Sequence, residues 1–336
     1  TIAQTGRLLG DGFTASAVSF GAMGMSEFYG PAPSDEDSLK VLDRALELGV
    51  SMIDTADMYG RGHNERLIGR FLARHPDERR AGNIQIATKF GIERDPADSY
   101  KRNINNTPAY IRACCEASLD RLGVDHIDLY YAHRINPAAD IAETMAVLAE
   151  LKAEGKIGHI GLCEVSAATL EKAHAVHPVA AVQSEYSLWT RDVEWEVLPV
   201  CRRLGIGLVA YSPLGRGFLT GKLATDALSP GDFRLSNPRF QAENLKHNSD
   251  LLPTLHAVAE THGITPAQAA LAWLLGRYDR LVVIPGTRSV QRLEENCAAS
   301  SVRLTEEEVR RLDAGFVPGN VYGERYPEEG MKGANA

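Results

Sequence analysis

The feature that most constrains this chain is an alternation. From Ala17 onward, short β-like runs take turns with amphipathic helical ones, and the pair recurs eight times. The strand-like runs are AVSFGAM, SMIDT, IQIATKF, IDLYYAH, IGHIGLC, AAVQSEY, GLVAYSP and LVVIPG. The helical stretches after them span 35–48, 64–74, 108–122, 140–153, 166–175, 193–203, 265–276 and 289–298. Repeated βα units without a low-complexity linker imply a parallel sheet, and eight of them imply closure into an α/β (β/α)8 TIM barrel. A chain of 336 residues suits one such domain over 1–336. The rival, a doubly wound open sheet, would usually carry GxGxxG after its first strand, and Gly21-Ala22-Met23-Gly24-Met25 lacks that spacing.

Punctuation supports the count. Pro33-Ser34-Asp35, Thr107-Pro108 and Thr265-Pro266 read as helix starts, with Ser or Thr before the first turn and Pro tolerated within it. Gly49, Gly123, Gly155 and Gly205 fall just past helix ends, where a left-handed residue is easiest for glycine. Ahead of the repeats, RLLGDGFTAS reads as an N-terminal β-hairpin turning at Asp11-Gly12, a small lid on the repeated units. Two stretches break the rhythm. Residues 214–248 form a long loop after strand seven, ahead of a helix at about 249–262, and loops of that length are usually functional or mobile. The tail, with Tyr322, Tyr326 and Met331 among glycines, is either a frayed end or a pocket cover.

Charge narrows the partners. A net charge of −8 argues against a nucleic-acid or anionic-membrane surface, either of which needs a basic face, and leaves a small molecule. No apolar run approaches the roughly 20 residues of a membrane helix, and the N-terminus lacks a charged region leading into an apolar core, so the chain reads as soluble and cytoplasmic. Its five cysteines, Cys114, Cys115, Cys163, Cys201 and Cys297, are odd in number without a CxxC pair, which fits reduced thiols and neither a disulfide framework nor zinc. Cys114 and Cys115 are adjacent on a helix, one expected inward and the other outward. Oligomeric state is not legible.

In a barrel the C-terminal strand ends converge on one mouth, and chemistry is built there. Asp54 closes strand two, Lys89 strand three and His133 strand four, while Tyr59 stands on the loop after strand two. Taken singly, each is more often a solvated or structural residue. Together they have a mutual logic. An ammonium beside a phenol stabilises phenolate and depresses its pKa from about 10, while a carboxylate beside the ammonium keeps it charged and oriented. A histidine can hydrogen-bond the oxygen of a bound carbonyl. The set makes a proton-donating centre.

IDTADMYGRGHNERLIG, ATKFG, LYYAHR, YSPLGRGFLTGK and IPGTRSVQRLEEN, five motifs in order over nearly the whole chain, resemble those of the aldo-keto reductase superfamily. GAMGMSEFYG and the RFQAEN loop look closest to its bacterial, fungal and plant branch, which reduces assorted aldehydes and ketones. The resemblance implies NADPH-dependent carbonyl reduction. Tyr59 would be the general acid, Lys89 its tuning group, Asp54 the support of Lys89, and His133 the group that positions the carbonyl.

The resemblance also implies a cofactor site. Gly21, Ala22 and Met23 would line the nicotinamide end, with Asp54 beneath, and Cys163 and Gln183 would approach the carboxamide. Tyr211 would stack on the ring, and Ser212, Leu214 and Gly217 would lie along the pyrophosphate. Gly286 and Thr287 would border the cofactor, Arg292 with Arg288 beside it would hold the 2′-phosphate, and Glu295 and Asn296 would contact the adenine. Two departures stand out: Cys163-Glu164 replaces the Ser-Asn of many relatives, and Gly286 stands where animal members place a lysine. The expected substrate wall is Met25, Phe28, Tyr29, Met58, Trp189 and Phe240, with Tyr59 and His133, a mostly apolar set that favours aromatic or aliphatic carbonyls over highly charged ones. A regulatory subunit that holds NADPH and turns over poorly, like the potassium-channel β subunits of the superfamily, is the rival. A metal-dependent hydrolase would need clustered ligands, and only Asp54 and His133 qualify, so no metal is expected.

Overall fold

Residues two apart on a strand face the same way, and that period builds the interior of this protein. A computed structural model describes residues 4–98, 101–220, 228, 232–318, 321, 323–326, 331 and 334. Two antiparallel hairpins stand outside the barrel: β1 (Gly6–Leu8) with β2 (Thr14–Ser16), and β6 (Ile92–Arg94) with β7 (Arg102–Ile104). The barrel strands are β3 (Phe20–Gly21), β4 (Met52–Asp54), β5 (Gln85–Phe90), β8 (Ile127–Ala132), β9 (Ile157–Cys163), β10 (Ala181–Glu185), β11 (Gly207–Tyr211) and β12 (Leu281–Val283). They pair in the order β12-β11-β10-β9-β8-β5-β4-β3, all parallel. A parallel bridge between Val18 and Val283 joins the two ends, so the sheet nearly closes on itself.

Alternate residues fill the inside. Met52, Ala87, Leu129, Tyr131, Cys163, Ala181, Val209 and Val282 form one buried cluster, while their neighbours Ile53, Ile86, Tyr130, Leu162, Val182, Leu208 and Val283 belong to the layer packed under the helices. Gly161 is required there: a Cβ would meet the Tyr131 ring at 2.4 Å. The expected hairpin plugs the N-terminal end of the barrel with Leu9 and Phe13, and its turn uses left-handed Asp11 and Gly12. Following the same period toward the other end leads to Asp54, Lys89, His133, Gln183 and Tyr211.

Helices α1 (Asp35–Glu47), α2 (His63–Arg74), α3 (Pro76–Arg80), α4 (Pro108–Leu122), α5 (Ile141–Ala153), α6 (Ala167–Val176), α7 (Val197–Leu204), α8 (Ala242–Ser249), α9 (Leu252–His262), α10 (Pro266–Leu275), α11 (Val290–Ala298) and α12 (Glu306–Gly315) surround the sheet. Ser34 caps α1 by accepting from the Asp37 amide, and Thr265 forms a capping box with Gln268. Thr107 does not cap α4; its hydroxyl turns to Asn105. Gly49, Gly123, Gly155 and Gly205 all have positive φ. Both Cys114 and Cys115 are buried, against the expectation of one outward thiol, because α4 is covered by α2 and α5 as well as by the sheet. Among its described residues the 214–248 stretch holds three helical turns, Phe218–Thr220, Phe233–Ser236 and Pro238–Phe240, and all but the last residue of α8. Tyr322 lies outside the described residues. Among the described residues no helix is long and apolar enough to cross a membrane.

Candidate active site

A cavity of about 990 Å³ opens at the C-terminal ends of the strands. Lys89 is fully buried beneath its floor and makes three contacts: to Asp54 Oδ1 at 2.5 Å, the Thr55 carbonyl at 2.7 Å and Tyr59 Oη at 3.3 Å. The other Asp54 oxygen accepts from the Gln183 amide at 2.8 Å. Tyr59 and His133 meet edge to face with ring centroids 5.9 Å apart. Asp54, Tyr59 and His133 line the cavity with Lys89 bonded beneath, so residues from three strand ends and the loop after β4 gather at one place.

Electrostatics differ from expectation at one point. Burial pushes the Tyr59 phenol up to about 12, and the Lys89 ammonium, which pulls it down, does not outweigh burial. The phenol is therefore a neutral proton holder at ordinary pH and not a group depressed below free tyrosine. Burial would also neutralise Lys89, but Asp54 and then Tyr59 hold its ammonium above the usual range. His133 is pushed well below the imidazole range by burial and by Lys89, Arg134 and Arg102, which leaves it neutral.

Gly21, Ala22, Met23, Cys163, Gln183, Tyr211, Ser212, Leu214, Gly217, Gly286, Thr287, Arg288, Arg292, Glu295 and Asn296 all line the same cavity. Ser212, Gly215, Arg216 and Gly217 have positive φ, and the Gly215 amide donates back to the Ser212 carbonyl at 3.0 Å, so the chain turns tightly where it lines the cavity. The start of α11 is capped by Ser289. Arg288 gives Nε to the Gly24 carbonyl and Nη1 to the Pro31 carbonyl, both at 2.8 Å, while its buried Nη2 has no partner among the described residues. Arg292 is exposed and pairs with neither Glu294 nor Glu295; Glu294 binds Arg44 at 3.0 Å. This donor set fits a phosphorylated dinucleotide.

Of the expected substrate wall, Met25, Phe28, Tyr29, Met58, Tyr59 and His133 line the cavity. Trp189 and Phe240 do not. Trp189 stacks on Phe218 at 4.1 Å and meets Phe240 edge to face at 5.4 Å, a buried aromatic cluster behind the loop after β11. Arg102, Arg134, Arg216, Arg234, Phe233 and Tyr326 line the cavity in addition to the expected residues. Tyr326 shows the tail reaching in: its hydroxyl is 2.5 Å from that of Tyr211. The Cys163-Glu164 departure finds its use here. Glu164 grips Arg325 with both oxygens at 3.0 and 2.9 Å, accepts from the Glu185 amide at 2.9 Å, and accepts from Tyr211 at 2.7 Å. Burial raises its carboxyl, but Arg325, Arg134 and the Glu185 amide together outweigh burial and hold it below the usual range.

A barrel with a buried acid, lysine, tyrosine and histidine around an anion-ready mouth defines a class of enzyme, and sequence relationships identify it. The profile of the aldo/keto reductase family matches residues 17–315. Probable aldo-keto reductase 1 of Glycine max is 44% identical over 315 residues, covering 94% of this chain and 89% of that protein. The structure resembles the glycerol dehydrogenase AKR11B4 of Gluconobacter oxydans (TM-score 0.83, 29% identity, 93% of this chain and 96% of the other). It also resembles an aldo/keto reductase of Klebsiella pneumoniae solved with NADP and acetate (TM-score 0.74, 25% identity, 97% and 99%). The chain belongs to the aldo/keto reductase family and is an NADP-dependent oxidoreductase acting on small carbonyl compounds.

Proposed function

We propose that this enzyme reduces an aldehyde or ketone to the alcohol, with Tyr59 giving the proton. The observation that carries this is the placement of Tyr59 Oη in the cavity, 3.3 Å from a lysine locked onto Asp54. NADPH, bound along Ser212–Gly217 and the start of α11, supplies the hydride. Burial keeps the Tyr59 proton in place until a carbonyl oxygen gains charge beside it. Lys89 then stabilises the phenolate left behind, and Asp54 with Gln183 holds Lys89 in position. Neutral His133 hydrogen-bonds the same oxygen and orients the carbonyl, contributing polarity without competing for the proton. Arg292, exposed and without a side-chain partner among the described residues, takes the 2′-phosphate and gives a preference for NADPH over NADH. The Arg325–Glu164 pair fixes Tyr211 and brings Tyr326 over the cavity, so Glu164 serves as an anchor where relatives use an amide.

The test tracks loss of NADPH absorbance across a panel of aldehydes and ketones, with Tyr59→Phe as the control. Turnover in the native protein and none in a variant that still binds NADPH is the expected result. Equal activity in both would remove Tyr59 from the chemistry.

A further inference from the structure

We infer that the carbonyl substrate carries an anionic group, foremost a carboxylate, that is seated on Arg134. This rests on the carbonyl-reducing function proposed above and names the substrate class. Arg134 is 6% exposed and lines the cavity one residue beyond His133. Its guanidinium carries five N–H donors. One hydrogen bond accounts for what it does with them, from Nη1 to the His133 carbonyl at 2.8 Å. The Tyr326 ring lies 6.0 Å from its centre. No carboxylate among the described residues comes within ion-pair distance: Glu164, which influences it electrostatically, is gripped on both oxygens by Arg325.

A buried cation without a paired anion is costly, and a ligand that brings the counter-charge offsets that cost. The charges around it point the same way. Arg102, from β7, lines the same cavity, and Lys89 lies below. Three cations thus surround His133, the group that receives the carbonyl oxygen.

The cofactor does not supply this anion. Its phosphate donors sit after β11 and at the start of α11, which comes after β12, whereas Arg134 comes after β8. In the order β12-β11-β10-β9-β8-β5-β4-β3, β8 and β12 are four positions apart among eight, hence across the mouth from each other. An anion on Arg134 therefore belongs to the molecule that presents its carbonyl to His133 and Tyr59. The planar, forked guanidinium suits a carboxylate best, and a phosphate shares the charge.

The experiment compares paired substrates with the full chain and NADPH: succinic semialdehyde against its methyl ester, and glyceraldehyde 3-phosphate against glyceraldehyde. 4-Nitrobenzaldehyde serves as a neutral reference. A charge-assisted contact of this kind is worth about tenfold to a hundredfold in kcat/KM, so the acid exceeds its ester by at least about tenfold. Arg134→Met brings that ratio to within about threefold of one, chiefly through the KM of the acid, and Arg134→Lys restores part of it. The pair with the larger ratio identifies carboxylate or phosphate as the natural anion. A second measurement needs no variant: 4-hydroxybutanoate inhibits the wild-type enzyme at least about tenfold more tightly than 4-hydroxybutanamide. The inference is overturned if neither anion is preferred by the wild type, if Arg134→Met keeps the ratio, or if that variant loses NADPH affinity as steeply as acid turnover. Absence of turnover with every carbonyl, including 4-nitrobenzaldehyde, would instead sink the carbonyl-reducing function and take this inference with it.

Discussion

Replacing Lys89 with methionine removes one charge and little volume from a fully buried position, so its effect can be worked from distance. The ammonium lies 3.3 Å from Tyr59 Oη. With an effective dielectric constant near 20, a full negative charge on that oxygen would interact by about 5 kcal/mol. If about half of the charge has developed when the proton leaves, about 2–3 kcal/mol of transition-state stabilisation is lost, roughly a hundredfold in rate. Asp54 complicates the single variant, because Lys89→Met leaves a buried carboxylate with only Gln183 as a side-chain partner, a situation that typically costs about 3–5 kcal/mol of stability. The double variant Asp54→Asn/Lys89→Met removes both charges and separates the two effects: it recovers stability without recovering rate.

The assay is single-turnover stopped flow at saturating NADPH and aldehyde, which isolates the chemical step from release, with NADPH affinity measured by fluorescence titration. We expect Lys89→Met to slow that step about 30- to 300-fold while cofactor affinity changes little. A rate within about fivefold of wild type, in a protein shown to be folded, would refute the reasoning, since no buried charge 3.3 Å from the departing proton could then matter to its transfer.

Three further outcomes come from the same geometry. Tyr59→Phe removes the only proton that the phenol can give and should lower kcat by about 10² to 10⁴-fold with NADPH still bound; retention of a tenth of the wild-type rate would reject the assignment. Arg292→Ala should weaken NADPH at least about tenfold more than NADH, whereas Arg288→Ala, which breaks bonds to the Gly24 and Pro31 carbonyls, should also disturb the loop after β3 and reduce affinity for both; equal losses in Arg292→Ala would return it to the surface. Burial, with Glu65 beside it, pushes the Asp57 carboxyl up to about 8, and one of its oxygens has no partner among the described residues. The folded state thus holds a proton that the unfolded chain releases near pH 4, so this group's contribution is fully present below that pH, declines as pH rises, and levels off above about 8. Asp57→Asn should therefore gain stability relative to wild type between pH 5 and pH 9 in chemical denaturation, and a pH-independent difference would rule the protonated acid out.

The legible part of the sequence is periodic. Eight apolar runs with turn residues between them reveal strands whatever lies around them, and the same period carries Asp54 and Lys89 to the inner face at the strand ends. The hairpin of β6 and β7 is not visible because IER and RNI have no apolar alternation, and α8 is not visible because AENLKHNS buries only Asn248. For α12 a signal does exist in the chain, since Thr305 and Glu308 form a capping box. Trp189 and Phe240 show a different limit. An aromatic residue near a strand end satisfies the pattern for a cavity wall and for the packing behind it, and only the stack on Phe218 decides. The Tyr59 pKa departs from expectation for a related reason, since a sequence shows that a lysine is near but not how completely water is excluded. Arg134 escapes the pattern because the alternation that turns Tyr131 and His133 inward assigns Arg134 to the outer face, whereas just past the end of β8 it lines the cavity as well.

The mouth of the barrel carries a local charge opposite in sign to the net charge. The chain carries −8 overall, yet its cavity is lined by Arg102, Arg134, Arg216, Arg234, Arg288 and Arg292 against Asp54, Asp232 and Glu295. Three of these six cations have fixed tasks. Arg216 is paired with Glu185 at 2.6 Å, Arg234 with Asp232 at 2.7 Å, and Arg288 with two backbone carbonyls. Arg134 and Arg292 stand apart, across the mouth from each other and without an acidic partner among the described residues. Their surroundings differ in the way that two different anions would require. Arg292 is exposed at the rim, where added salt screens a phosphate contact within about a Debye length, whereas Arg134 is 6% exposed, where salt penetrates little. A basic mouth on an acidic protein is thus the local field that draws in an anionic cofactor from one side and an anionic carbonyl from the other, while the acidic remainder repels polyanions too large to enter.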